Sequence, residues 1–203
     1  RKAALLLLAL MVIGGTVSKV LSRNRYTLAP IQTSQNAPSA LPTVYKTLED
    51  RFSMGDRTII TEEANYILCP DDKKSDFNQA KRSGTRAMRS QQYEAAAQFF
   101  EEAWQLCPAP EVMIYKNNAL IANKPSHTLA VVVPINWPNP KNAIEMLRGA
   151  AQSQTLINQG GGVNGKPIRL MVIDDGDKPD VAEDIAATLI DDYPGVLAVI
   201  GHW

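Results

Sequence analysis

Three carboxylates, Asp174, Asp175 and Asp177, stand together after an apolar run. Clustered carboxylates can hold a divalent cation. Between a strand and a helix they also cap that helix and meet the positive end of its dipole. Capping is the role expected here. Residues 160–167 read Gly160-Gly161-Gly162-Val163-Asn164-Gly165-Lys166-Pro167, close to a phosphate-binding loop. Pro167 stands where magnesium needs a Ser or Thr hydroxyl, and the loop runs from helix to strand, so its amides do not open a helix. A tight turn is the expectation. His127 and His202 lie far apart in sequence, and no Ser/His/Asp arrangement or metal-ligand spacing accompanies them. Neither an enzyme nor a bound cofactor is expected.

Trp137 and Trp203 point to different chemistry. Both follow apolar runs, where a core residue is not expected. An aromatic wall beside backbone N–H donors suits a zwitterionic amino acid or an amide. The same pair could instead pack on a neighbouring lobe or on each other. The loop after the first run offers Asn136 and Trp137, and the chain after the third offers His202 and Trp203. These four are the candidate ligand-binding residues.

The elements that must position them alternate between strand and helix. Residues 129–135 (LAVVVPI) are a valine-rich run typical of a strand buried on both faces. Over 143–158, Ile144, Leu147 and Ala151 recur at helical spacing. Residues 168–173 (IRLMVI) form the second run. Val181, Ile185, Leu189 and their neighbours make another helical face, with Pro179 at its start, where a missing N–H costs little. Residues 196–200 (VLAVI) form the third run. The alternation predicts a partial parallel sheet, β-α-β-α-β, with right-handed crossovers. A ligand of such a sheet sits beyond the carboxyl ends of its strands.

Composition supports a packed core. The 203 residues carry 21 basic and 21 acidic side chains and are 45% hydrophobic. The charges cancel, so no nucleic-acid partner is expected. A three-stranded sheet ending where the next loop should begin reads as part of a longer protein.

The order of motifs from residue 127 onward carries a family resemblance. It comprises Gly149-Ala150-Ala151, then Asn158-Gln159-Gly160-Gly161-Gly162-Val163-Asn164-Gly165, then Asp174-Asp175 closing the second run, then an aliphatic-Gly step at Ile200-Gly201. Together these resemble the first lobe of periplasmic binding proteins of the leucine/isoleucine/valine type, the type 1 fold. Asn136-Trp137-Pro138-Asn139-Pro140 and Lys178-Pro179 depart from the family's usual small residues and Asp-Pro. The resemblance implies ligand contacts from the loop after the first strand and from hydroxyl residues after the third. It also implies a second lobe and the membrane subunits of an ABC transporter as partners.

Upstream, residues 3–18 carry no charge. At 1.5 Å per residue they span roughly 24 Å, and extension through residue 21 brings them near a bilayer core of about 30 Å. Residues 1–23 therefore read as a membrane anchor or a signal segment, and either places the rest on the periplasmic or extracellular side. Residues 24–43, rich in Thr, Ser, Gln, Asn and Pro, read as a linker. Within 44–73, Val44, Tyr45, Leu48 and Phe52 fall at helical spacing, Gly55-Asp56 reads as a turn and 58–61 as a short strand.

Residues 74–124 read as a helical hairpin with a third helix over 111–122. Ala80, Gly84, Ala87 and Met88 line the first helix, and Tyr93, Ala96, Phe99, Phe100 and Ala103 the second. The pattern, closed by Pro108, resembles a single tetratricopeptide repeat. One repeat cannot bury its own core, so it must lean on the third helix or a partner. Cys69 precedes the first helix and Cys107 ends the second. These ends are neighbours in a hairpin, which makes a disulfide a hypothesis beside two ordinary buried thiols.

Residues 126–203 are thus expected to be the solute-binding lobe of a transport system for a small polar solute such as an amino acid. The alternatives are a membrane-anchored sensing ectodomain and a repeat-based interaction scaffold.

Overall fold

The computed structural model describes residues 45–60, 68–135 and 140–201. All belong to one unit, Pro38–Trp203. A 3₁₀ turn, Glu49–Arg51, leads into a two-residue strand, β1 (Phe52–Ser53). Three helices follow: α1 (Lys74–Arg89), α2 (Tyr93–Leu106) and α3 (Pro110–Leu120). The remainder is β2 (His127–Val133), α4 (Lys141–Gln159), β3 (Ile168–Asp174), α5 (Pro179–Asp192) and β4 (Val196–Gly201).

The sheet order is β1-β3-β2-β4. β2 is parallel to both β3 and β4, and β1 is antiparallel to β3. Alternation along the strands divides the core in two. Val131, Val133, Leu170 and Val172 face α4 and the helical region. Ala130, Val132, Met171 and Ile173 face α5 and Phe52. This is why the runs are apolar without a break. β2 ends at Val133, two residues before the run does, because Pro134 has no N–H for the ladder. β4 is an outer strand, and its Leu197, Val199 and Ile200 are exposed.

The upstream segment departs from its expected form. Residues 45–52 do not make an α-helix: they hold the 3₁₀ turn Glu49–Arg51, and Phe52 belongs to β1. The strand lies at 52–53 rather than from residue 58. Pairing with Ile173 and Val172 decides this, and local spacing carries no sign of it. Gly55 does turn the chain, at φ 119°, with its N–H donated to Ser53 Oγ at 3.0 Å.

In the helical region Gly84 sits against Phe100. A Cβ at Gly84 would lie 2.5 Å from the ring, so only glycine permits the approach. Ala96, Phe100 and Ala103 are buried, but Phe99 is exposed, contrary to the expected lining. α3 covers the hairpin with Val112, Ile114 and Tyr115. Between α1 and α3 lies a buried ion pair. Lys81 Nζ contacts Glu111 Oε2, and the two side chains are 3% and 0% exposed. Glu111 Oε1 accepts hydrogen bonds from Ile59 N (2.6 Å), Ile60 N (3.0 Å) and Tyr115 Oη (3.0 Å). Lys81 Nζ donates to Ile60 O at 2.9 Å.

α3 also completes the sheet edge. Asn118 Nδ2 donates to Leu170 O at 2.7 Å, and Asn118 Oδ1 accepts from Leu170 N at 3.1 Å. One side-chain amide thus stands in for a residue of a neighbouring strand. Asn158 does the same one step earlier, accepting from Ile168 N at 2.7 Å and donating to Ile168 O at 3.0 Å. Gln154 Nε2 adds a second donor to Ile168 O at 3.1 Å, so the unpaired groups of this edge are met by three amides and β1.

The chain's two cysteines, Cys69 and Cys107, lie side by side, with Cα atoms 5.2 Å apart across a separation of 38 residues. We propose that a disulfide between them forms in the exported protein. Unreduced, denatured full-length chain is then expected to show no free thiol. Reduction should lower the unfolding free energy by about 2–4 kcal/mol. Two reactive thiols before reduction would eliminate the bond.

Candidate functional site

The carboxyl ends of the three parallel strands fall on one edge. Val133 lies opposite Asp174, and Val132 opposite Gly201. The chain therefore leaves β2, β3 and β4 side by side. Gly201 has φ 110°, and a Cβ there would meet Val132 O at 2.2 Å. The aliphatic-Gly step is thus a packing requirement of the β2–β4 pair.

Asp174 organises these exits. Its side chain is buried where β3 ends. Oδ1 accepts from Ile135 N at 2.9 Å, just beyond β2, and from Gly176 N at 3.0 Å, just beyond β3. Oδ2 accepts from Tyr45 Oη at 2.9 Å. Arg51 Nη1 donates to the Asp174 carbonyl at 2.9 Å, and its guanidinium lies 4.7 Å from the centre of the Tyr45 ring. Burial first, and then the Asp174 charge, push the Tyr45 hydroxyl well above its ordinary pKa, so it is held as a donor.

The capping role expected for the aspartates is overturned. The N-cap of α5 is Lys178, with no side-chain cap bond. Asp174 bonds the exits instead, and Asp175 Oδ1 accepts from Asp177 N at 3.1 Å within the turn. Asp177 takes φ 57° there, the left-handed conformation that Asp tolerates in tight turns. The glycine-rich segment is a tight turn. Val163 and Lys166 exchange backbone hydrogen bonds at 2.8 and 3.0 Å, and a Cβ on Gly162 would meet Lys166 O at 2.1 Å. Among the described residues no group of three His, Cys, Asp or Glu side chains could hold a metal ion.

Asn136, Trp137, His202 and Trp203 lie outside the described residues, as does the expected membrane segment, 3–21. What the structure places is the pair of residues preceding each set, Pro134-Ile135 and Ile200-Gly201, at one edge of the sheet. Tyr45, Arg51 and Asn118 were not among the sequence-derived candidates. Their partners lie far along the chain, so no local periodicity marks them. Asn117-Asn118 inside a helix is a faint signal, since asparagine is a poor helix former.

No solved structure gives a significant match to the chain. A curated protein of Pseudomonas aeruginosa called "Amino acid binding protein" is 36% identical over 83 residues, 38% of this chain and 22% of that protein. The chain thus spans about a fifth of the length of that relative. Residues 128–203 match the periplasmic binding protein family, and the parallel-rich sheet of four strands fits a lobe of such a protein.

Proposed function

We propose that residues 126–203 are part of an extracytoplasmic solute-binding lobe that closes with a second lobe on a small polar solute, performing no chemistry. The observation carrying this reading is the shared edge on which β2, β3 and β4 end, with Val133 beside Asp174 and Val132 beside Gly201. The family match supports a binding role and a periplasmic location. The relative named for amino-acid binding favours an amino acid or amide as the solute. Asn136, Trp137, His202 and Trp203 directly follow the residues placed at this edge, and we assign them to ligand contact. Lobe closure converts a difference in affinity between open and closed forms into a shift in population, which the membrane subunits of an ABC transporter would read.

A second reading, a membrane-anchored sensing ectodomain, draws on the shared core of α3, α4 and the sheet. A helical region continuous with the lobe can carry a change at the lobe toward the N-terminal side. The helical region itself we read as a tetratricopeptide-like spacer.

Calorimetry of the complete protein against the common L-amino acids and their amides tests the first reading. Heat of binding with at least one is expected, reduced in Trp137→Ala. Absence of heat with all of them would overturn the assignment to amino-acid solutes.

A further inference from the structure

The segment before the helical hairpin reaches the far end of β3, beside the edge where solute is proposed to bind. We propose that Asp174 is a positioning residue for the two exits it bonds, and that Tyr45 and Arg51 set Asp174 in turn. The segment from Tyr45 to Ser53 is then a working part of the solute-binding lobe.

The geometry assigns each atom a task. A single oxygen, Asp174 Oδ1, takes both Ile135 N (2.9 Å) and Gly176 N (3.0 Å). Those amides belong to different loops, and one acceptor can serve both only while the carboxylate keeps one rotation. Tyr45 Oη meets the other oxygen at 2.9 Å, closer than its second acceptor Ile59 O at 3.3 Å, and so holds that rotation. Arg51 holds the main chain of the same residue at 2.9 Å and lies over the Tyr45 ring. Arg51 and Asp174 are buried, so water competes little for these bonds. A carboxylate accepting from backbone N–H groups makes bonds about twice as strong as neutral ones. The arrangement leaves Asp174 committed to the protein's own chain, and hence not a contact for the solute's ammonium group.

The inference rests on the binding reading above, but one arm of its test needs no ligand. Tyr45→Phe keeps the ring and removes the hydroxyl. In the ligand-free full chain, amide exchange at Ile135 and Gly176 is expected to quicken roughly tenfold, on the order of one lost net hydrogen bond. Exchange at Val112 and Ile114 in α3 should not change. The L-amino acid that binds the unaltered protein most tightly should bind the variant roughly three- to tenfold more weakly. Unchanged exchange at Ile135 and Gly176 would overturn the proposal. So would quickened exchange with unaltered affinity, which would reduce Asp174 to a structural tie. If no amino acid binds the unaltered protein, the solute reading fails, and exchange at these two amides still decides whether Tyr45 sets Asp174. Asp174→Ala should quicken both amides further. A variant of that kind which leaves them protected would also defeat the assignment.

Discussion

Glu111→Gln is expected to lower the stability of the chain by about 3–5 kcal/mol, the usual cost of removing one partner from a buried ion pair. The substitution keeps the shape of the side chain and the Oε1 acceptor for Ile59 N, Ile60 N and Tyr115 Oη. It removes the charge opposite Lys81 and turns an amide N–H₂ toward that ammonium. Lys81 keeps its bond to Ile60 O but stays a buried cation. The loss therefore comes from the orphaned charge rather than from packing. Adding Lys81→Met should recover part of it, because the Gln–Met pair carries no buried charge to desolvate. Urea unfolding of the single and double variants measures both effects. A loss below about 1 kcal/mol in Glu111→Gln, within the reach of an ordinary surface pair, would mean that water screens this site.

Asn118→Leu is expected to cost about 2–4 kcal/mol, since leaving a buried donor or acceptor unpaired costs about 1–3 kcal/mol. Leucine has the same branched outline and number of heavy atoms but offers nothing to Leu170 N or Leu170 O. Met54 O also loses its 3.0 Å donor, and Gln154 Nε2 loses its 2.8 Å acceptor, keeping Ile168 O at 3.1 Å. The damage should be local as well as global. Exchange at the Leu170 amide should quicken well beyond that at Val131, which lies inside the β2 ladder. A stability change within about 0.5 kcal/mol, the range of a surface substitution, would show that another group takes over the edge of β3.

Of the elements after residue 126, β2 and β3 were legible because both of their faces are covered, while β4 reads as an apolar run although its side chains are exposed. Each strand then declares itself as an apolar run, and each helix as a stripe at spacing three and four. Parallel pairing followed from that alternation. The family motifs gain physical content from the structure: Asn158 pairs with Ile168 as a strand would, and Gly201 leaves room for Val132 O. The helices at 74–89, 93–106 and 110–120 were equally legible, and the small residue at Gly84 marked the close approach of Phe100.

The polar joints were not legible. Asp174 stood out as a carboxylate at a strand end, but helix capping was the wrong local explanation. Its partners Tyr45, Arg51 and Ile135 come from three places in the chain. Nothing in the spacing marks Lys81 and Glu111 as a pair, because their pairing depends on how their two helices cross. β1 is only two residues long, too short for any period to show. In each case the deciding contact is long-range, and residue spacing carries no record of it.

The Tyr45–Asp174 bond spans 129 positions in sequence. Tyr45 is made well before β3, and its hydroxyl can reach Asp174 only once β3 has been made and laid beside β2. Closing so long a loop is entropically costly, and contacts of this kind are gained late on the way to the native state. The piece of chain that precedes the hairpin is therefore the last to be fastened. Loosening it should chiefly hasten unfolding and leave the rate of folding almost untouched.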